Sequence, residues 1–490
     1  MFCRSWSVEN VTGGGVVGVC AIVGNEVPKI TISQVYTSED LDERGTRKLQ
    51  SGMLLRRFRK LSTSSIHARP FVMKRARGFF AAIGFLLDLS CMSPQPLLAA
   101  SSAPQTWVAT WGASQQIPEP QNELQIDDLR DATVRQIFHL SVGGSGLRVH
   151  MSNAFGTEAL HFTSVHIARP LSPSSPEIDP SSDRQLTFAG KPDVFVPPGA
   201  EFVSDPVNLK IAPLSDLAVT FHLDVPPVRE TGHPGSRATS YYLHGDSVDA
   251  PALIDPKRVD HWFQISEIDV QAAPEAAAVV VLGDSITDGH GATTNGNDRW
   301  TDVLAARLQG SPRTRNVGVS NQGIGGNHLL TDGLGPNALS RFDRDVLGPA
   351  GARWLIVFEG VNDLGGPAKT GEVPLADHAA LVERILSAYR QLVERAHAHG
   401  LFVFGATITP YVGSNYYHPG PLSEADRQAV NQWIRIAGHF DGVIDFDAVV
   451  RDPNDPDRLL PAFDCGDHLH PSPAGYKAMG QSISLAAFSR

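Results

Sequence analysis

One stretch constrains this chain more than any other: Val279-Val280-Val281-Leu282-Gly283-Asp284-Ser285-Ile286-Thr287-Asp288-Gly289. An unbroken apolar, β-branched run has no polar face to alternate with, so it reads as a buried strand. The run stops at Gly283, and Asp and Ser are good residues for capping a helix. A buried strand that turns at once into polar, helix-starting sequence sets one serine at the carboxyl edge of a sheet. In doubly wound folds that edge is where ligands bind.

The sequence after this stretch supports such a sheet. Strands are expected at Ala277–Leu282, Arg315–Val319, Trp354–Glu359, Leu401–Thr407 and Gly442–Phe446. Helices are expected at Trp300–Leu308, Asp377–His399, Ser423–His439 and Ser472–Phe488. The second helix carries Leu381, Ile385, Tyr389, Leu392 and Val393 at helical spacing, with Gly400 as its stop. Strands alternating with helices predict a parallel sheet covered on both faces over residues 277–490.

Residues 104–270 read differently. Gln136–Ser141 and Leu147–Ser152 alternate apolar with polar and are separated by Val142-Gly143-Gly144-Ser145-Gly146, which predicts a hairpin. Further short runs at 161–167, 193–196, 217–223 and 261–270 are divided by Pro-rich turns. Several short strands with turn punctuation predict an all-β sandwich or jelly-roll-like domain. Residues 271–276, Gln-Ala-Ala-Pro-Glu-Ala, read as a linker.

The first hundred residues resemble neither domain. Residues 1–72 show no sustained period and read as a leader, or as sequence upstream of the true start, without a stable fold. Gly13-Gly14-Gly15-Val16-Val17-Gly18 formally matches GxGxxG, but no βαβ unit or acidic ribose partner surrounds it. Met73-Lys74-Arg75-Ala76-Arg77, the apolar run from Gly78 to Leu87 and the small residues Ala99 to Ala103 have the layout of a secretory signal peptide over 73–103. The expectation is a secreted or periplasmic protein, with Met73 as a plausible start. The apolar run is too short to span a bilayer, and Asp88 interrupts it, so no stable membrane span is expected in the mature protein. Removing this region also removes Cys3, Cys20 and Cys91, which leaves Cys465 alone with no disulfide and no CxxC metal site. The charge divides at the same place: residues 1–103 carry a net +6, and the rest of the chain carries −17. An acidic body repels phosphate backbones, which argues against nucleic acid as a partner.

Each expected strand after residue 277 ends in polar or glycine-rich sequence. These ends are Gly283-Asp284-Ser285, then Asn321-Gln322-Gly323-Ile324-Gly325-Gly326-Asn327, then Glu359-Gly360-Val361-Asn362-Asp363. Near the end of the chain stands Asp464-Cys465-Gly466-Asp467-His468-Leu469-His470-Pro471. A serine hydroxyl is a weak nucleophile and needs a base within hydrogen-bond reach. His470 suits that task, because imidazole titrates near working pH. Asp467, three residues earlier, can orient the ring and stabilise the imidazolium. A tetrahedral oxyanion needs preorganised donors, for which the N–H groups of Ser285 and Gly326 and the amide of Asn362 are candidates. His468 competes with His470 as the base, and Asp467, His468 and His470 together are also conceivable metal ligands. The loop Tyr411-Val412-Gly413-Ser414-Asn415-Tyr416-Tyr417 is either a pocket wall or an ordinary surface loop. No GxSxG elbow is present in the sequence.

These segments resemble the conserved blocks of the GDSL, or SGNH, hydrolase superfamily. Gly283-Asp284-Ser285-Ile286 is similar to its first block, with Ile where the name has Leu. Asn321 to Asn327 resembles the second block, Gly360 to Asp363 the third and Asp467 to His470 the fifth. The resemblance spans about residues 277–488. It implies a flavodoxin-like three-layer fold and ester hydrolysis by Ser285, His470 and Asp467, without a metal or other cofactor. It also implies an oxyanion hole from Ser285, Gly326 and Asn362. The preceding β domain, with Thr110-Trp111-Gly112-Ala113-Ser114 and the segment 148–156, resembles the exported arylesterase and acetylxylan-esterase-like branch. Asn327 stands where many relatives carry Asp. The implied substrate is a small ester or an acylated carbohydrate. The competing reading is a glycan-binding protein whose hydrolase domain is incidental.

Overall fold

The computed structural model describes residues 5–6, 19–21, 30–31, 106–370 and 373–489. The glycine motif at 13–18 and the signal-like segment at 73–103 lie outside the described residues. Within the N-terminal unit, Met1–Gln95, three short strands pair antiparallel: β1 (Ser5–Trp6), β2 (Val19–Ala21) and β3 (Ile30–Thr31). Everything described below belongs to the second unit, Pro96–Arg490.

The first part of that unit is all β. It begins with β4 (Thr106–Gly112), β5 (Ala132–Leu140), β6 (Leu147–Ser152), β7 (Leu160–Pro170), β8 (Ile178–Gln185), β9 (Val194–Val196) and β10 (Glu201–Val203). It continues with β11 (Ser215–Leu223), β12 (Gly232–His233), β13 (Ser240–His244), β14 (Lys257–Val259), β15 (Trp262–Phe263) and β16 (Ile265–Ala272). One sheet has the order β10-β6-β16-β4, and the other β14-β13-β5-β11-β7-β8 with β9 beside β7. Val108, Trp111, Val149, Met151 and Ile268 of the first sheet share one core with Phe138, Phe162 and Phe221 of the second, which makes a sandwich. Trp111 lies edge-on to Phe138 at 4.5 Å and to Trp262 at 4.8 Å. Truncating a fully buried ring such as Phe138 to Ala is expected to cost about 3–5 kcal/mol.

The expected hairpin between Gln136–Ser141 and Leu147–Ser152 is corrected by the structure. β5 pairs with β11 and β13, whereas β6 pairs with β16 and β10, so the chain crosses between sheets at residues 141–146. The glycines there serve close packing and not a tight turn. A Cβ on Gly144 would lie 2.7 Å from the Gln271 carbonyl oxygen, and one on Gly143 2.6 Å from that of Ile211.

Residues 273–276 separate β16 from the second part, which alternates strand and helix. Its elements are β17 (Ala277–Gly283), α1 (Ser285–Asp288), α2 (Trp300–Gln309), β18 (Val317–Gly323), α3 (Ala338–Phe342), β19 (Ala352–Phe358) and α4 (Val361–Gly365). They are followed by α5 (Leu375–Ala398), β20 (Phe402–Ala406), α6 (Pro421–Arg435), β21 (Gly442–Ile444), α7 (Phe446–Val450) and α8 (Pro473–Ser482). The five strands are parallel in the order β18-β17-β19-β20-β21, the flavodoxin-like order. Right-handed crossovers then put α2 on one face and α5 and α6 on the other. Val279, Val280, Val281 and Leu282 are wholly buried, as a central strand covered on both faces requires. Among the described residues no helix is long and apolar enough to cross a membrane.

Several expected boundaries move: α6 ends at Arg435 and β21 at Ile444, short of the expected His439 and Phe446, and two further shifts have a visible cause. β18 runs on through Asn321 and Gln322 because its polar end is used, as described below. The last helix stops at Ser482, where Ile483 turns to extended backbone. Arg307 of α2 donates to the carbonyls of Gly480 and Ile483 at 2.6 and 2.7 Å, satisfying oxygens that a continued helix would have claimed.

The sandwich covers the edge of the parallel sheet. Edge strand β18 faces β4, and Val319 N–H donates to Ser141 Oγ at 2.9 Å. The approach demands glycine on both sides: a Cβ on Gly318 would lie 2.2 Å from the Ala109 carbonyl oxygen, and one on Gly112 2.3 Å from Ser320 Oγ. An exposed edge strand invites pairing with other chains, and this packing closes it.

Candidate active site

The strand order reverses between β17 and β19, and the candidate residues gather at the carboxyl ends of the strands around that switch point. β17 ends at Gly283, where a Cβ would meet Thr287 Oγ1 at 2.2 Å, so only glycine lets the chain fold back into α1. Asp284 caps α1, its Oδ1 accepting from the Ile286 N–H at 2.9 Å. Ser285 is thereby the first residue of α1. The N–H groups of a helix's first turn have no partner within the helix.

The loop before α8 brings the other two residues. Cys465 N–H donates to the His470 carbonyl at 3.0 Å, closing the loop on itself. Asp467 Oδ1 accepts from the N–H groups of Leu469 and His470 at 2.9 and 2.8 Å. Its other oxygen, Oδ2, accepts a hydrogen bond from His470 Nδ1–H at 2.6 Å. That leaves Nε2 as an acceptor, and Ser285 Oγ lies 2.8 Å from it. Partial burial works to raise the Asp467 pKa, but the hydrogen bond and charge of His470 together with the two backbone donors outweigh it. The carboxylate is held well below its usual range. Ser285 and His470 are each 8% exposed. His468 does not join them, because its Nδ1 pairs with Asp464 Oδ2 at 2.6 Å.

The candidate oxyanion donors follow the neighbouring strands. Gly326, three residues past β18, adopts φ 69°, a left-handed conformation that favours glycine. Asn362 sits in α4, immediately past β19, and is fixed at both ends of its amide. Nδ2 donates to the Asn327 carbonyl at 2.6 Å, and Oδ1 accepts from the Tyr417 hydroxyl. One Nδ2 hydrogen remains for another acceptor. Asn327 is held in turn: its Nδ2 donates to the Pro336 carbonyl at 2.8 Å, and its Oδ1 accepts from Arg341 Nη2 at 2.9 Å.

Sequence reasoning missed the group beneath the site. Arg341 is fully buried and donates to the strand-end carbonyls of Gln322 and Gly283 at 2.6 and 3.1 Å, to Asp345 at 3.0 Å and to Ser114 Oγ at 2.7 Å. It also faces Glu359 at 3.4 Å. Burial, together with the charges of Asp363 and Asp288, pushes the Asp284 carboxyl up to about 7, with Arg341 opposing. Burial likewise raises Glu359 well above the carboxylate range. Only a lone Arg on a short amphipathic segment marks this in sequence, and that pattern is indistinguishable from a surface helix.

His290 was missed as well. Its ring lies 4.0 Å from that of His470, and its Nε2 lies 3.7 Å from Asp467 Oδ2. Burial, with His470 and Arg237 alongside, presses its pKa down to about 4. The available signal was its position, one residue beyond Gly289 in the same serine-bearing stretch. The β domain reaches the site too, through His233, whose Nε2 lies 2.9 Å from Asp288 Oδ1 in α1. His290, Asp467 and His470 also bring ligand atoms within 4.8 Å of one another, as do His150, Glu267 and Asp269 in the sandwich. In the first group Asp467 and His470 are already hydrogen-bonded to each other, and His470 to Ser285.

A flavodoxin-like domain with these residues at its switch point belongs among the hydrolytic enzymes. Residues 281–478 match the model of the GDSL-like Lipase/Acylhydrolase family, so the chain carries a domain of that family and is a carboxylic ester hydrolase. No curated protein sequence matches the chain. Among solved structures, it is similar to a GDSL-like lipase from Bacteroides thetaiotaomicron VPI-5482, at 19% identity over 43% of this chain and 86% of that one, with a TM-score of 0.31. It is similar to a variant of an acetyl xylan esterase from Geobacillus stearothermophilus, at 22% identity over 43% and 94% of the two chains, with a TM-score of 0.32. It is also similar to the acetyl xylan esterase AlAXEase, at 19% identity over 42% and 96%, with a TM-score of 0.32.

Proposed function

We propose that the protein is an exported serine esterase that cleaves short-chain carboxylic esters through an acyl-enzyme on Ser285. The observation that carries this reading is the continuous hydrogen-bond chain from Ser285 Oγ to His470 Nε2 at 2.8 Å and from His470 Nδ1 to Asp467 Oδ2 at 2.6 Å. Ser285 Oγ attacks the ester carbonyl while its proton passes to Nε2. The ionised Asp467 stabilises the imidazolium that results. The carbonyl oxygen becomes an oxyanion and accepts from the Ser285 and Gly326 N–H groups and the free Nδ2 hydrogen of Asn362. The intermediate collapses, the C–O bond to the alcohol breaks, and His470 returns the proton to the leaving oxygen. Water then repeats the sequence on the acyl-enzyme, with His470 as base, and regenerates Ser285.

The reading extends to acetyl groups on polysaccharide and to aryl esters, and to export through the segment beginning near Met73. A p-nitrophenyl ester series beside acetate release from acetylated xylan tests the substrate, with Ser285→Ala as control. Short esters should be cleaved fastest, and Ser285→Ala should lose about 10³-fold or more of the rate. Equal rates for the two proteins would remove Ser285 from its role. N-terminal sequencing of protein recovered outside the cytoplasm tests export, and recovery only of an uncleaved chain inside the cell would contradict it.

A further inference from the structure

The β domain contributes a cation to the mouth of the site. Arg237 lies between β12 and β13 in left-handed backbone, φ 48°, a conformation that costs a non-glycine residue and persists only when its surroundings impose it. Those surroundings come from the hydrolase part: Asn295 N–H donates to the Arg237 carbonyl at 2.8 Å, and Asn295 Oδ1 accepts from Thr239 N–H at 2.8 Å. The strained backbone therefore aims one side chain, and it aims it at the candidate active site. Arg237 Nη2 lies 3.4 Å from Nδ1 of His290, whose ring rests against that of His470.

Two features set this arginine apart from a structural one. Its Nε–H is buried with no hydrogen-bond partner, whereas buried donors are almost always satisfied. Among the described residues no carboxylate forms an ion pair with it, although residues 104–490 carry a net charge of −17. Arg344, Arg427 and Arg435, by contrast, each meet at least one carboxylate. With Arg237 donating to Nδ1, His290 carries its proton on Nε2, which faces Asp467 Oδ2 at 3.7 Å, so the guanidinium's remaining N–H groups are the donors left for a ligand.

Chemistry fixes which part of a substrate lies here. His470 must hand its proton to the leaving oxygen, so the alcohol portion departs on the His470 side. The acyl oxygen points the other way, toward Gly326 and Asn362. His290 and Arg237 extend the His470 side. We propose that Arg237, held in place beside His290, binds a carboxylate on the alcohol portion of the ester, so that the preferred substrates are esters of acid-bearing alcohols or phenols. This rests on the Ser285 esterase reading above.

The test compares 3-acetoxybenzoate with 3-acetoxybenzamide, acetyl esters that differ in the charge of the leaving phenol. The wild-type enzyme should favour the benzoate in kcat/KM by about 10- to 100-fold, the range for a hydrogen bond to a charged group. Arg237→Gln should bring the ratio of the two specificity constants near unity, and Arg237→Lys should restore part of it. A ratio that Arg237→Gln leaves unchanged, or a wild-type enzyme indifferent to the charge, would overturn the proposal. If the variants do not fold, product inhibition of the wild-type enzyme decides: 3-hydroxybenzoate should inhibit about ten times more tightly than 3-hydroxybenzamide, and equal inhibition overturns the proposal. Failure of the esterase reading looks different, because then neither acetyl ester is cleaved faster by the wild type than by Ser285→Ala.

Discussion

Tyr417→Phe probes how the oxyanion donor is aimed. The Tyr417 hydroxyl donates to Asn362 Oδ1, and Asn362 Nδ2 donates to the Asn327 carbonyl at 2.6 Å. Burial pushes the phenol far above its usual pKa, so it remains a donor at any working pH. Phenylalanine keeps the ring and its edge-on contact with Tyr416 at 4.7 Å, and removes only the donor. A buried acceptor stripped of its partner costs about 1–3 kcal/mol. If that cost fell wholly on the transition state, the rate would drop about 5- to 150-fold. Removing an oxyanion donor outright costs about 10²- to 10³-fold, which sets the ceiling. Because the Asn327 bond still restrains the amide, the expected loss is about 10-fold in kcat, with KM for p-nitrophenyl acetate changing less than about twofold, since the donor acts on charge that develops only in the transition state. A wild-type kcat in a folded Tyr417→Phe protein would refute the reasoning, and so would parallel changes in kcat and KM.

Other consequences are equally direct. Asp467→Asn should lower kcat by about 10³- to 10⁴-fold, because an amide favours the wrong His470 tautomer; steady-state assays on the same ester check this, and an active variant would contradict it. Arg341→Met removes a buried cation and leaves Asp345, the strand-end carbonyls and Asn327 Oδ1 short of a donor, so the urea midpoint should reflect a loss of about 3–5 kcal/mol. Burial pushes the Glu230 carboxyl up to about 8. A raised pKa gives stability that is fully present below the unfolded value and is lost as pH rises toward the folded one. Glu230→Gln should therefore gain on the wild type by up to about 1.4 kcal/mol per pH unit between roughly pH 5 and 8, and a constant difference in urea midpoints across that range would count against the assignment.

The parallel sheet was legible because Val279 to Leu282 is a fully apolar run and because α5 shows clear helical spacing ended by Gly400. The serine, histidine and aspartate were legible because each sits beside a strand end or in a compact polar cluster. What stayed hidden depends on contacts between distant segments. Gly143 and Gly144 look like a hairpin turn until Gln271 and Ile211 are seen pressed against them. Arg341 looks like a surface residue until five segments converge on its guanidinium. His290 and Arg237 approach each other only because the sandwich packs along β18, and no local pattern encodes that docking. Tyr417 fell in a loop whose reading was open, and only its hydroxyl contact with Asn362 gives it a role.

The central claim is that Ser285 is the nucleophile. Treating the folded protein with an organophosphonate and measuring intact mass tests it most directly. One adduct per chain is expected, mapped to Ser285, with esterase activity lost in proportion to labelling and no adduct on Ser285→Ala. An adduct on another residue that abolishes activity, or full activity after Ser285 is labelled, would contradict it.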